Sequence, residues 1–260
     1  MSKDQQKRND ELEAMLKSLR LSTIIQNYRE FAARSEKEKI GHIEYLYELC
    51  QIKSRDKQDK RSARLMSESK LPHGKTLDNY EFSRQPKLSR SLMNELAEGL
   101  LLDRCENLLF FGLPGTGKSH LAVGLGREWC LRRRRVYFVK SASLVENLLT
   151  AKRDLRLNEY IKDLDRFEAI CIDDISYIPQ TREETDVLFT LLSERYERRS
   201  VVVTSNLAFS EWSAIFKDKM TTLAAIDRLV HHAVVIELEG PSIRAEVAEQ
   251  RSKASRKPSK

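Results

Sequence analysis

Apolar positions between about residue 10 and residue 70 recur at helical spacing and carry no strand signal. Leu12, Leu16 and Leu19, then Ile24, Ile25, Tyr28 and Phe31, follow three- and four-residue steps, which predicts two helices with Ser22 as a cap between them. A third helix carries Ile43, Leu46, Leu49 and Ile52 on one side. It continues into the basic stretch Lys53–Arg64 and stops at Leu71-Pro72-His73-Gly74. From about residue 105 the pattern changes to short, continuously apolar runs: Asn107–Phe111, Val136–Val139, Ala169–Ile172, Val201–Thr204 and Val234–Leu238. Such runs fit strands buried on both faces of a parallel sheet. Amphipathic helices fall between them, for example Glu183–Arg198 with Val187, Leu188, Leu191, Leu192 and Tyr196 inward. The expectation is an α/β domain with a five-stranded parallel sheet, preceded by a small all-helical module. The boundaries read as residues 1–72 for the module, 73–248 for the α/β domain and 249–260 for a basic, disordered tail.

Composition narrows the class. The chain is 40% hydrophobic and 33% charged, which suits a globular protein with a polar surface. No apolar run approaches the roughly 20 residues that span a bilayer, and the start lacks a signal-peptide core, so a cytoplasmic protein without membrane contact is expected. Cys50, Cys105, Cys130 and Cys171 are scattered, without a Cys-x-x-Cys pair, and read as small buried apolar residues rather than zinc ligands or disulfides. A net charge of +7 suggests a polyanionic partner, although charge alone is weak evidence.

The most specific chemistry is Gly112-Leu-Pro114-Gly115-Thr116-Gly117-Lys118-Ser119, a P-loop that follows one predicted strand and opens a helix carrying Leu121, Ala122 and Leu125. Its glycines let backbone N–H groups curl around phosphates, and the helix N-terminus adds partial positive charge. Lys118 is placed to reach the β- and γ-phosphates of ATP, Ser119 to coordinate Mg²⁺, and His120 to border the nucleotide. A carboxylate for the metal is expected at the end of another apolar strand. Asp173-Asp174 follows Ala169–Ile172, with Asp173 on the metal side and Asp174 positioned to orient or deprotonate the attacking water. The Val201 strand is expected to lie between the P-loop strand and the acid-bearing strand, the order usual for P-loop sheets, so Asn206 at its end would hydrogen-bond that water or the γ-phosphate.

In this order the motifs resemble AAA+ ATPases of the helicase-loader (DnaC-like) branch, and within it the IstB-like transposition helper ATPases of bacterial insertion sequences. The resemblance spans about Leu16 to Arg244. Its most specific pieces are Leu19–Leu21, Phe138–Arg153, Ile172–Tyr177, Ser193–Arg198, Thr204–Trp212 and Ala225–Ala233. It implies a homo-oligomeric ring or spiral on duplex DNA that hydrolyses ATP and recruits or activates a cognate transposase. It also implies Arg228 as an arginine finger acting on a neighbouring subunit, and Arg244 as a second sensor at the subunit's own nucleotide. Three features depart from the pattern. Asp174 stands where many AAA+ proteins have Glu. Only 16 residues follow Arg244, too few for a helical lid. Arg132-Arg133-Arg134-Arg135 fills a turn where glycine is usual.

For DNA contact the candidates are Lys152, Arg153 and Arg156 on the insertion between the second and third strands, the four-arginine turn Arg132–Arg135, the Lys53–Arg64 stretch and the tail. Contacts of this kind grip phosphates without reading sequence, and no base-reading module is evident. A replicative helicase loader of the DnaC type is the nearest alternative. A small-substrate phosphotransferase leaves Asn206 and Arg228 without roles, and a module in which ATP only licenses assembly remains open because of Asp174.

Overall fold

The computed structural model describes residues 3–175, 181–207, 211, 227–243 and 246. The chain divides into two compact units between Arg64 and Leu65.

The first unit is helical. α1 spans Lys3–Ser18, α2 spans Ser22–Glu38, and the long α3, His42–Glu68, contains the division. Thr23 and Tyr28 are buried on α2, and Leu49 is buried on α3. Two sequence expectations change here. Ser22 does not cap: the N-cap position of α2 is Leu21, with no side-chain hydrogen bond. The predicted apolar side of α3 is covered only in part: Leu49 is buried and Ile52 half-buried, but Ile43 is 87% and Leu46 59% exposed. Two short helices offer too little surface to bury the whole face of a third.

The second unit is built on a parallel sheet of β1 (Asn107–Gly112), β2 (Val136–Lys140), β3 (Ala169–Asp173), β4 (Ser200–Ser205) and β5 (Ala233–Leu238). The strand order is β2-β3-β4-β1-β5, with every pairing parallel. Alternation along the strands sends apolar side chains to both faces. One face collects Leu109, Phe111, Ile170, Ile172, Val201 and Val203 under α7 (Ser141–Arg153), α8 (Leu157–Leu164) and α9 (Arg182–Arg195). The other collects Leu108, Phe110, Cys171, Val202 and Ile236 under α6 (Lys118–Leu131), α4 (Arg90–Glu98) and α5 (Leu100–Asp103). The five-stranded α/β sheet expected from the apolar runs is the sheet observed, with β4 between the P-loop strand and the acid-bearing strand.

α4 went unread in the sequence, although it has both end signals: Ser89 accepts from Ser91 N and Leu92 N, and Gly99 closes it with φ +80°. α9 ends earlier than predicted, at Arg195, and Tyr196 is only half-buried. The cause is Arg195. It is fully buried and donates to the carbonyls of Leu164, Phe167 and Ser200 at 3.1, 3.0 and 3.1 Å, so the chain turns there toward β4. Of the cysteines, only Cys130 and Cys171 are buried; Cys50, on the thinly covered α3, is exposed, and Cys105 is intermediate in a turn at φ +54°. Among the described residues, no helix is long and apolar enough to cross a membrane.

Candidate nucleotide site

β1 delivers the chain into the P-loop at the C-terminal edge of the sheet, and α6 begins at Lys118. A side chain is excluded at the first glycine, where a Cβ on Gly112 would stand 2.2 Å from the Leu238 carbonyl of β5. At Gly117, φ is +105° and a Cβ would lie 2.8 Å from the Tyr80 ring. The loop is braced from outside by the segment before α4. Gln85 Nε2 donates to Glu239 O at 2.6 Å and to Thr116 O at 3.4 Å, while its Oε1 accepts from Glu239 N at 3.2 Å. The Tyr80 hydroxyl is buried without a hydrogen-bond partner among the described residues, and burial pushes its pKa up to about 12.

In front of the loop lies a cleft of about 220 Å³ lined by Pro114, Gly115, Gly117, Lys118, Ser119 and His120 on one side and by Asp173, Asp174, Thr204 and Asn206 on the other, with Lys75 and Ile243 completing it. The buried Lys118 ammonium donates to the carbonyls of Gly112 and Leu113 at 2.6 and 2.8 Å. His120 Nε2 lies 2.8 Å from both Thr76 O and Asn79 Oδ1. Both are acceptors, so this nitrogen carries the proton. Burial lowers the His120 pKa more than the hydrogen bond to Thr76 raises it.

The acid side is organised by a residue the sequence reading passed over. Thr204 donates its hydroxyl proton to Asp173 Oδ1 at 2.8 Å and accepts from Asp174 N at the same distance. Asp174 sits at φ +61°, its carbonyl accepts from Ser141 Oγ at 2.5 Å, and its Oδ1 accepts from Asn206 Nδ2 at 3.1 Å. The two acids therefore diverge: Asp173 continues β3, and Asp174 leaves it in a left-handed turn that Asp tolerates better than most residues. Asp173, Asp174 and Asn206 all reach the cleft, as do Lys118, Ser119 and His120. Thr116 is buried beneath the loop, its hydroxyl on Leu113 O. Thr204 and Lys75 had little to announce them. A Thr in a run of valines reads as strand, and Lys75 is one of many lysines in a linker.

Arg228 is not among the residues that line the cleft. It is exposed on the helical turn at residues 227–231 and donates from Nη1 to Ser193 Oγ at 2.9 Å. Arg244 lies outside the described residues, as do parts of the Ile172–Tyr177, Thr204–Trp212 and Ala225–Ala233 motifs and the tail. In the four-arginine turn, Arg132 pairs with Glu98 and Glu128, both at 2.8 Å, and Arg134 pairs with Asp103 and Glu168 at 2.7 and 2.9 Å. Arg133 takes the left-handed position, φ +66°, where glycine is usual; it and Arg135 are exposed. Lys152 and Arg153 are exposed at the end of α7, and the exposed Arg156 pairs with Glu159 at 3.0 Å.

The sequence model of the IstB-like ATP binding protein family matches residues 14–254. An insertion sequence ATP-binding protein of Sinorhizobium fredii is 39% identical over 231 residues, covering 88% of this chain and 78% of the relative. The ATP-binding protein of insertion sequence IS21 from Pseudomonas aeruginosa is 32% identical, covering 90% of this chain and 88% of its own. Among solved structures, AMPPCP-bound DnaA from Aquifex aeolicus is similar in fold, with a TM-score of 0.55 at 18% identity over 74% of this chain and 58% of that one. The DnaC helicase loader gives a TM-score of 0.53 at 15% identity, over 64% of this chain and 97% of that one. The AAA+ P-loop fold and these sequence matches agree, and the chain belongs to the IstB-like ATP-binding protein family of insertion sequences.

Proposed function

We propose that this protein is an ATPase that assembles on duplex DNA in an ATP-dependent homo-oligomer and there recruits or activates the transposase of its insertion sequence. The observation that carries the catalytic part is the single cleft shared by Lys118, Ser119, Asp173, Asp174 and Asn206, with both acids held by Thr204. A triphosphate fits this chemistry: the cleft is lined by a glycine cradle, an ammonium and a helix N-terminus, and by oxygen donors suited to a hard cation, Ser119 and Asp173. Bound Mg²⁺ would neutralise charge on the β- and γ-phosphate oxygens. Lys118 turns from its loop carbonyls to those phosphates. Asp174, steadied by Asn206, orients the attacking water and accepts its proton.

Arg228 stands outside its own subunit's cleft, which suits a residue that completes the neighbour's site; an arginine supplied in trans is worth on the order of 10³–10⁵ in rate in related systems. Arg244 is read as the nucleotide sensor of its own subunit. Lys152, Arg153 and Arg156 provide the preferred DNA contact, with the exposed Arg133 and Arg135 of the turn second, because Arg132 and Arg134 are engaged internally. The names of the relatives support ATP binding and the insertion-sequence setting, and a DnaA relative in fold has been seen with AMPPCP and single-stranded DNA.

ATP turnover and particle mass, measured together with and without long duplex DNA, test this reading. DNA-stimulated hydrolysis with ATP-dependent growth into large particles is expected. A monomer indifferent to DNA would overturn it, and stimulation of a replicative helicase but not of the transposase would replace the client.

A further inference from the structure

The end of α9 and the helical turn at residues 227–231 run beside each other as a ladder of side-chain pairs. Arg228 Nη1 meets Ser193 Oγ at 2.9 Å, the Tyr196 hydroxyl meets His231 Nδ1 at 2.9 Å, and His232 Nε2 stands 3.6 Å from Glu197 Oε1. At the far end of this ladder, one ligand atom from each of Glu197, His231 and His232 lies within 4.8 Å of the other two. None of the three belongs to the nucleotide cleft, and all are exposed.

We propose that Glu197, His231 and His232 form a site for a borderline divalent transition metal ion such as Zn²⁺, which clamps the Arg228-bearing turn to the end of α9. Two imidazoles and a carboxylate are a recurrent zinc ligand set, with one position left for water. Ligands about 2.1 Å from a tetrahedral ion stand roughly 3.4 Å apart, and the His232–Glu197 separation is already close to that. The third ligand, His231, lies within 4.8 Å of the other two and must draw in from there to close the site.

The backbone beneath the site is fixed. Asn107 donates from its backbone N to His232 O at 2.7 Å and from Nδ2 to Leu229 O at 2.9 Å, which ties the turn to the start of β1. Glu197 is held in a left-handed conformation, φ +56°, in the turn from α9 into β4. The Tyr196 hydroxyl holds His231 Nδ1 at 2.9 Å, which orients the ring and leaves Nε2 as the nitrogen available to the ion. His231 and His232 follow Arg228 by three and four positions, so they share its side of the turn.

The site stands or falls independently of ATP hydrolysis. Its test is Zn²⁺ titration of the untagged, nucleotide-free full chain, in competition with a chromophoric chelator and under a non-chelating reductant. One Zn²⁺ per chain is expected, with affinity falling at least roughly tenfold in E197Q and further in H231A and H232A. The C50S/C105S and D173N variants should retain the wild-type affinity, which separates this site from the two cysteines that are not buried and from the nucleotide cleft. Zn²⁺ should also raise the melting temperature of the wild type and leave that of H231A/H232A unchanged. Wild-type binding no tighter than that of H231A/H232A, or loss of the ion in C50S/C105S, would overturn the proposal.

Discussion

Thr204→Val removes a single hydroxyl while keeping the shape of a buried strand residue. Thr204 is 2% exposed, and its oxygen makes two 2.8 Å bonds, one to a carboxylate oxygen of Asp173 and one to the amide of Asp174. A hydrogen bond to a charged group contributes about 1.5–3 kcal/mol and a neutral one about 1 kcal/mol. Asp173 and Asp174 line an open cleft, where water replaces part of what is lost, so about 1–2 kcal/mol of stability should disappear rather than the full sum. The larger effect is on chemistry. Hydrogen-bond partners that orient metal ligands typically cost 10–100-fold in activity or metal affinity when removed, and Thr204 fixes both acids at once. Steady-state ATP turnover across a Mg²⁺ titration, with a thermal melt alongside, reads both terms. T204V should turn over about 10–100-fold more slowly and need more Mg²⁺, whereas T204S should recover most of the rate. If T204V hydrolyses ATP at the wild-type rate with unchanged Mg²⁺ dependence, the acid pair is not organised in the way described.

Arg195→Leu leaves three buried carbonyls without their donor, and chemical denaturation should show a loss of about 3–5 kcal/mol; a loss under 1 kcal/mol would mean that water replaces the guanidinium. His120 has a lowered pKa in the folded chain, so the unfolded chain binds its proton more readily. Its contribution is therefore complete above the unfolded pKa of about 6.5 and is lost as pH falls through the folded value. Denaturation curves from pH 7.5 to 5 should accordingly fall more steeply for wild type than for H120Q, and parallel curves would refute this. DNA affinity measured against salt should lose about two units of log–log slope in K152A/R153A, near 0.9 for each phosphate contact removed; an unchanged slope would move the DNA contact elsewhere on the protein.

What the sequence could disclose followed from how local each constraint is. The P-loop was legible because strand, glycine turn and helix start are contiguous, and Asp173-Asp174 because it ends an apolar run. The sheet itself was legible because strands covered on both faces are apolar throughout, as Leu108–Phe111 and Val201–Val203 are. Thr204 was not legible: the strand order was expected, but the register that sets its hydroxyl between Asp173 and the Asp174 amide leaves no mark in a run of valines. Arg195 was not among the inward positions read from its helix; its burial depends on turns contributed by residues 164–167 and 200. The apolar side of α3 illustrates the opposite failure. Periodicity identified a face, but whether anything covers it depends on how much neighbouring surface the helical unit can supply. Four consecutive arginines cannot all face one partner, and the fold engages Arg132 and Arg134 in ion pairs while Arg133 and Arg135 stay exposed.

In the proposed function, hydrolysis draws its cleft from one subunit and Arg228 from the next. Mixing R228A with D174N tests this, because each variant is expected to be inactive alone and to supply the part the other lacks. In random co-assembly, about a quarter of the interfaces pair an intact cleft with an intact arginine, so an equimolar mixture should recover up to about a quarter of the wild-type turnover. A mixture as inactive as its components, from variants that still bind ATP and still assemble on DNA, would contradict a site completed between subunits.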